Sequence, residues 1–262
     1  VAVDFSSAWP LLRQRLEQLI AWDAERITLM HVLSSRYPAT AEETHRAHYE
    51  ARLADLAGEI ATADLKVETL VRSGEPGAVL AWTARELGSD LLLLGCSGHG
   101  RWHEFFLGST ALDAARLAPC PLWLEPVGEG QPNRDFQLMM LATDGSRAVA
   151  AAETLARELA PRFQRSLAVT ATCASEGCDR EVNDAQAHMD RLTGQIAGLD
   201  TRVLDGDPRD AIVAEAKKEN ADLIVIGKRG RNAIQELLLG STAENIARGA
   251  LCPVLLVPGK PD

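Results

Sequence analysis

The chain repeats itself. Gly95-Cys-Ser-Gly98, nine residues, then Gly108-Ser109-Thr110 recurs as Gly227-Lys-Arg-Gly230, nine residues, then Gly240-Ser241-Thr242, and the copies lie 132 positions apart (227 − 95). The same offset relates Gly74 to Gly206, Pro76 to Pro208, Asp90 to Asp222, Pro121 to Pro253 and Pro126 to Pro258, without a gap. Upstream, Asp4-Phe-Ser6 answers to Asp144-Gly-Ser146 at an offset of 140 (144 − 4), so the first half is eight residues longer (140 − 132). The extra length is expected in the helical stretch after Ser34. A period this long means one domain copied once, not a solenoid of small units. The expected organisation is a domain over 1–126, a Gly- and Pro-bearing linker over 127–134, and a second domain over 135–262.

Each half alternates strand and helix. In the first, residues 1–4 end a strand, and 7–24 carry Leu12, Leu16, Leu19 and Ile20 at helical spacing. Strands are expected at 27–33, 66–71, 91–94 and 121–125, and helices at 39–63, 76–87 and 109–117. Glu42, Glu43, Arg46, Glu50 and Arg52 read as a solvated face of the second helix. The second half has strands at 136–142, 167–172, 201–204, 223–226 and 254–257, with helices at 148–159, 181–197, 208–219 and 241–248. Such alternation predicts an α/β fold: a doubly wound parallel sheet with helices on both faces. The ligand crevice then lies beyond the strand C-termini where strand order reverses. With the first strand beside the fourth, Asp4 shares a crevice with the Gly95 loop, and Asp144 with the Gly227 loop.

A strand, a glycine-bearing loop and a helix start together make a place for anions. Free backbone N–H groups and the positive end of the helix dipole converge there, and glycine lets the backbone approach a ligand closely. Ser109 and Ser241 sit at the cap or first turn of their helices, and Lys228, Arg229 and Arg231 are expected to add positive charge around the second loop. The loop is not a Walker motif, since no Gly-Lys-Ser/Thr follows. Nor is it the dinucleotide fingerprint, because it follows the fourth strand rather than the first. The plain alternative is a helix-start turn that binds nothing. Asp4 and Asp144 are open to two readings, helix caps or ligand-facing carboxylates, and both roles can hold together.

The net charge of −10 argues against a general nucleic-acid binder but not against a small anion held by backbone N–H groups. No apolar run reaches the length of roughly 20 residues that a membrane helix needs. Val1 falls inside a strand, so residues ahead of it are expected. Five cysteines without regular spacing favour a reducing compartment. Cys120 and Cys252 hold equivalent places and read as small buried apolar residues, and Cys173 and Cys178 as loop thiols. His45 and His48 stand three apart near Glu42, but no fourth ligand is evident, which favours a solvated face over a metal site. His99 and His103 read as phosphate contacts or packing on Trp102. No catalytic triad follows from any spacing.

These motifs resemble the universal stress protein family in its tandem form, over nearly the whole chain. The resemblance rests on the doubled Gly-x2-Gly-x9-Gly-[Ser/Thr] loop after an Asp-Leu strand, and on the aspartate closing each first strand. It implies two five-stranded sheets of order 3-2-1-4-5, similar to the adenine nucleotide alpha hydrolase fold, pairing through their last strands as an intrachain pseudo-dimer. It implies an adenine nucleotide (ATP, AMP or ADP), with Mg2+ or Mn2+ on the phosphates. The phosphates are expected on Gly98, Gly108, Ser109 and Thr110 in one half and Gly230, Gly240, Ser241 and Thr242 in the other. Gly95, His99, Gly227 and Arg231 complete the loops. Asp4 and Asp144 would face base and ribose, and Val32 and Thr172 would flank the adenine. The second half is the safer site, because Trp102, His103, Phe105 and Phe106 make the first loop bulkier than Ile234 and Leu237 make the second. The implied role is a cytoplasmic stress-response sensor that regulates an unknown protein, without membrane insertion and with further homodimerisation open. The alternatives are a slow ATP hydrolase and a nucleotide-free interaction module.

Overall fold

A computed structural model describes residues 1–34, 39–97, 107–127, 136–172, 179–230 and 239–259. In the first half these form α1 (Trp9–Ala21), β1 (Arg26–Ser34), α2 (Ala39–Ile60), β2 (Lys66–Gly74), α3 (Pro76–Glu86), β3 (Leu92–Ser97), α4 (Ser109–Leu117) and β4 (Leu122–Val127). The second half has β5 (Leu138–Ala142), α5 (Ala150–Leu159), β6 (Arg165–Thr172), α6 (Asp179–Thr193), β7 (Leu199–Asp205), α7 (Pro208–Glu219), β8 (Leu223–Gly227), α8 (Ser241–Gly249) and β9 (Val254–Val257). The extra length of the first half lies where it was expected, since α2 has 22 residues and α6 has 15.

Strand order in the second half is β9-β8-β5-β6-β7, all parallel. The first half repeats this order, with residues 1–3 as its first strand. The Ala2 N–H donates to the Leu93 carbonyl at 2.9 Å and the Val3 N–H to the Met30 carbonyl at 2.8 Å, which joins the β1–β2 pair to β3 and β4. The halves meet where β4 runs antiparallel to β9, with Leu122 opposite Leu256, Trp123 opposite Leu255 and Leu124 opposite Val254. Each half thereby covers an edge that would otherwise offer unpaired backbone groups.

The sequence sets both faces. Every residue of β5 and β8 is buried. Met140 and Ile224 pack on one face with Leu80, Ala114, Ile212 and Ile246, from α3, α4, α7 and α8. Met139, Leu141 and Val225 pack on the other with Leu16, Leu53, Ala152 and Met189, from α1, α2, α5 and α6. Unbroken apolar strands between two helix layers are what a parallel sheet requires. Arg46 is half-buried and departs from the solvated face expected of α2, whereas Arg52 is exposed as expected. Arg46 donates to the Val71 carbonyl at 2.7 Å, and Arg52 lies over the Phe5 ring at 4.0 Å.

Two buried polar features break the symmetry of the halves. Arg15 forms a two-pronged ion pair with Glu125 (2.7 and 2.9 Å), and the Trp123 indole N–H donates to the same carboxylate at 2.8 Å. The second half carries Leu155, Leu255 and Val257 at the equivalent positions. Lys228, only 5 % exposed, reaches across the seam and donates to the Ala118 carbonyl at 2.7 Å. Ala118 caps the C-terminal end of α4, where a cation complements the helix dipole. The equivalent of Lys228 is Cys96, which borders a small void with Ala250 and Cys252 instead.

Glu125→Val alone strands a buried guanidinium and is expected to cost about 3–5 kcal/mol in urea unfolding, whereas Arg15→Leu with Glu125→Val recovers most of that loss. Burial lowers the Lys228 pKa from 10.5 to about 8, so the unfolded chain holds more protons between those values and stability contributed by this group rises with pH there. Cys120 beside it has a thiol raised by burial and slopes the opposite way. The Tm of Lys228→Met minus that of the native chain should therefore fall as pH goes from 8 to 10, and a constant difference would refute the buried charge.

Candidate functional site

The C-terminal ends of β5, β6 and β8 open onto one cavity of about 740 Å³. It lies where the chain order reverses between β5 and β8, the position at which open α/β sheets present a crevice. Asp144, Thr172, Gly227, Gly230, Gly240, Ser241 and Thr242, all singled out from the sequence, line it together.

A side chain on any of three of these glycines would crowd a neighbour. A Cβ on Gly230 would stand 2.5 Å from Asp144 Oδ2, one on Gly227 would stand 2.9 Å from Val149 Cγ1, and one on Gly240 would stand 3.2 Å from the Lys228 carbonyl oxygen. The Gly240 N–H donates to that carbonyl at 2.8 Å and closes the loop. Gly240 is the extended cap of α8, so Ser241 is its first helical residue and its side chain is exposed. The N–H groups of this first turn lack partners within the helix, and Ser241, Thr242 and Ala243 border the cavity.

Asp144 Oδ1 accepts the Ser146 N–H at 3.0 Å, and Asp4 Oδ1 accepts the Ser6 N–H at 2.9 Å. These are local turns rather than helix caps, which corrects the capping reading: the cap of α1 is Ala8 and that of α5 is Val149, neither with a side-chain cap bond, while Asp144 borders the cavity.

Lys228 corrects the electrostatic expectation. Its ammonium is committed to the Ala118 carbonyl across the seam, although the residue also borders the cavity. Arg229 borders the cavity, as do the carboxylates of Asp144, Glu181 and Asp207. Asp207 is held down to about 2 by the Arg209 guanidinium, so it stays ionised and paired.

In the first half, Gly95 lies within β3 with the Val127 and Ala8 side chains 3.2 and 3.3 Å from its missing Cβ. Gly108 caps α4 in the same extended conformation as Gly240, with Ser109 and Thr110 in the first turn. Val32 lies near the end of β1. Phe5 takes the left-handed backbone (φ 57°) that Gly145 takes in the second half (φ 69°), and stacks on Tyr49 at 5.3 Å. Gly98, His99, Trp102, His103, Phe105, Phe106, Cys173, Cys178, Arg231, Ile234 and Leu237 lie outside the described residues.

The sequence reading missed Thr170, Ala185, Gly206 and Asp207 as cavity walls. The signal for Gly206 and Asp207 was present, because the loop after a third strand opens on the same edge as the other two. In that reading Gly206 and Pro208 served only as markers of the repeat. Among the described residues no group of three or more His, Cys, Asp or Glu is placed to hold a metal, and no helix is long and apolar enough to cross a membrane. His48 instead meets the Tyr49 ring edge-on at 5.2 Å. Cys96, Cys120 and Cys252 are free thiols, the last two buried as expected.

Comparison with known proteins places these features in a family. The model of the universal stress protein family matches residues 1–125 and again 136–258. A universal stress protein of Methanocaldococcus jannaschii is 46% identical over 59 residues, 22% of this chain and 35% of that protein. One from Mycobacterium tuberculosis is 29% identical over 182 residues, 63% of this chain and 60% of that protein. The chain thus spans less than two-thirds of the length of these relatives. The crystal structure of a universal stress protein from Archaeoglobus fulgidus superposes with a TM-score of 0.82, covering 99% of this chain and 97% of that one at 19% identity, a likeness of fold. With both halves matched and nearly all of the described fold shared, the chain belongs to the universal stress protein family and carries two of its domains in tandem.

Proposed function

We propose that the second half binds an adenine nucleotide in the cavity at the strand ends, its phosphates on the first turn of α8. One observation carries the reading: Asp144, the Gly227–Gly230 loop and Gly240–Thr242 come from three separate stretches and border a single cavity. Its volume, about 740 Å³, is in the range of roughly 300–1,000 Å³ usual for small-molecule sites.

The chemistry divides the cavity. Backbone N–H groups at the start of α8 and the Arg229 side favour phosphate. Asp144, a carboxylate, repels phosphate and suits a hydroxyl or amino donor, which a ribose or adenine supplies. Thr172 borders the cavity at the end of β6, on the side proposed for the base. Any Mg2+ or Mn2+ would be carried by the phosphates. Asp4, Val32, Gly95 and Gly108–Thr110 occupy the corresponding places in the first half, which is proposed as a second site. Bound nucleotide would favour one state of the chain and so bias its contact with a regulated partner.

Isothermal titration with ATP and AMP tests the reading. Saturable binding is expected with a Kd at or below about 1 mM. Ser241→Asp puts a carboxylate at the helix start, which favours the dipole and preserves folding but opposes phosphate. It should leave Tm equal or higher and weaken ATP by at least about tenfold. An unchanged ATP affinity in that variant, or no binding by the native chain, contradicts the proposal.

A further inference from the structure

The loop that carries Asp144 is held from behind by a chain of side chains that starts at Thr143 on the cavity wall and runs away from the cavity. The Thr143 hydroxyl donates to Glu153 Oε1 at 2.5 Å and accepts the Gly145 N–H at 3.1 Å. The same Oε1 lies 2.8 Å from His188 Nε2, and Arg191 Nη2 lies 3.2 Å from His188 Nδ1. An arginine only donates, so Nδ1 accepts and the Nε2–H must donate to Glu153. The imidazole ring also covers Gly145, with three of its atoms 3.0 to 3.2 Å from where a Cβ would be.

Thr143, Glu153 and His188 come from the end of β5, from α5 and from α6. They converge on the residues either side of Asp144, whose Oδ2 faces the bare backbone of Gly230. Thr143 is buried, and Glu153 and His188 keep 17% and 15% of their side-chain surface exposed. The first half has no equivalent, since Val3, Phe5 and Arg13 stand in the places of Thr143, Gly145 and Glu153. Its loop is held instead by the Phe5–Tyr49 stack, and Arg13 pairs outward with Glu17 and Glu59.

We infer that Glu153 and His188 are positioning residues of the second half, which fix Asp144 at the cavity wall and so set recognition of the part of the ligand that donates hydrogen bonds. This rests on the nucleotide reading for its ligand but not for its geometry. Glu153 is the hub: one oxygen accepts both hydrogen bonds, and removing it releases the Thr143 hydroxyl and the His188 N–H together. Glutamine keeps an acceptor oxygen at that point and should serve in its place.

The test compares the native chain, Glu153→Ala and Glu153→Gln by amide and imidazole NMR and by ATP titration. Glu153→Ala is expected to lose the protected His188 Nε2–H signal, shift the Gly145 and Gly230 amides, and weaken ATP about tenfold. Glu153→Gln should restore both amide positions and bring affinity to within about threefold of native. Unmoved Gly145 and Gly230 amides in Glu153→Ala, or a glutamine variant no better than alanine, overturns the inference. If the native chain binds no ATP, the nucleotide reading fails, while the amide shifts still decide whether this chain of contacts positions Asp144.

Discussion

The antiparallel seam between β4 and β9 is the constraint on which the molecule depends. Three residue pairs, Leu122–Leu256, Trp123–Leu255 and Leu124–Val254, join two parallel sheets into one continuous layer. Parallel strands need long crossovers, and the helices in those crossovers must lie on the faces. Helices pack on both faces of the joined sheet, which leaves the strand ends for a site. That is where Asp144, Gly227, Gly230 and Gly240 border the cavity.

Duplication gave the halves the same plan, but the side chains at the seam have diverged. The first half buries Arg15, Glu125 and Trp123 as a hydrogen-bonded group, where the second uses Leu155, Val257 and Leu255. Lys228 crosses from the second loop to the end of α4, and nothing answers from Cys96. The loop after the first strand diverges too. Phe5 adopts a left-handed backbone held by an aromatic stack, whereas Gly145 adopts it without a side chain and is covered by His188. Two copies of one fold thus support their candidate sites by different means.

The repeat, the parallel sheet and the cavity-lining glycines were legible because each follows from a local rule. Apolar runs buried on two faces, Gly-x-Pro helix starts and a doubled loop need no knowledge of distant partners. The direction of the Lys228 side chain was not legible. Its sequence neighbours suggest a phosphate loop, while its environment comes from Ala118, 110 residues away. Arg46 was assigned to a solvated face for the same reason, since Val71 lies far from it in the chain. The Thr143–Glu153–His188 group carries no pattern at all, since its members lie 10 and 35 residues apart and only the docking of α5 and α6 unites them.

The central claim is that a nucleotide occupies the cavity with its phosphates over the start of α8. Electron density from crystals grown with ATP tests it most directly. The account predicts phosphate density within hydrogen-bond reach of the Ser241 and Thr242 backbone N–H groups, with ribose or base toward Asp144. Density for Asp144 and the Gly227–Gly230 loop unchanged, with ATP bound elsewhere or absent at saturating concentration, would contradict it.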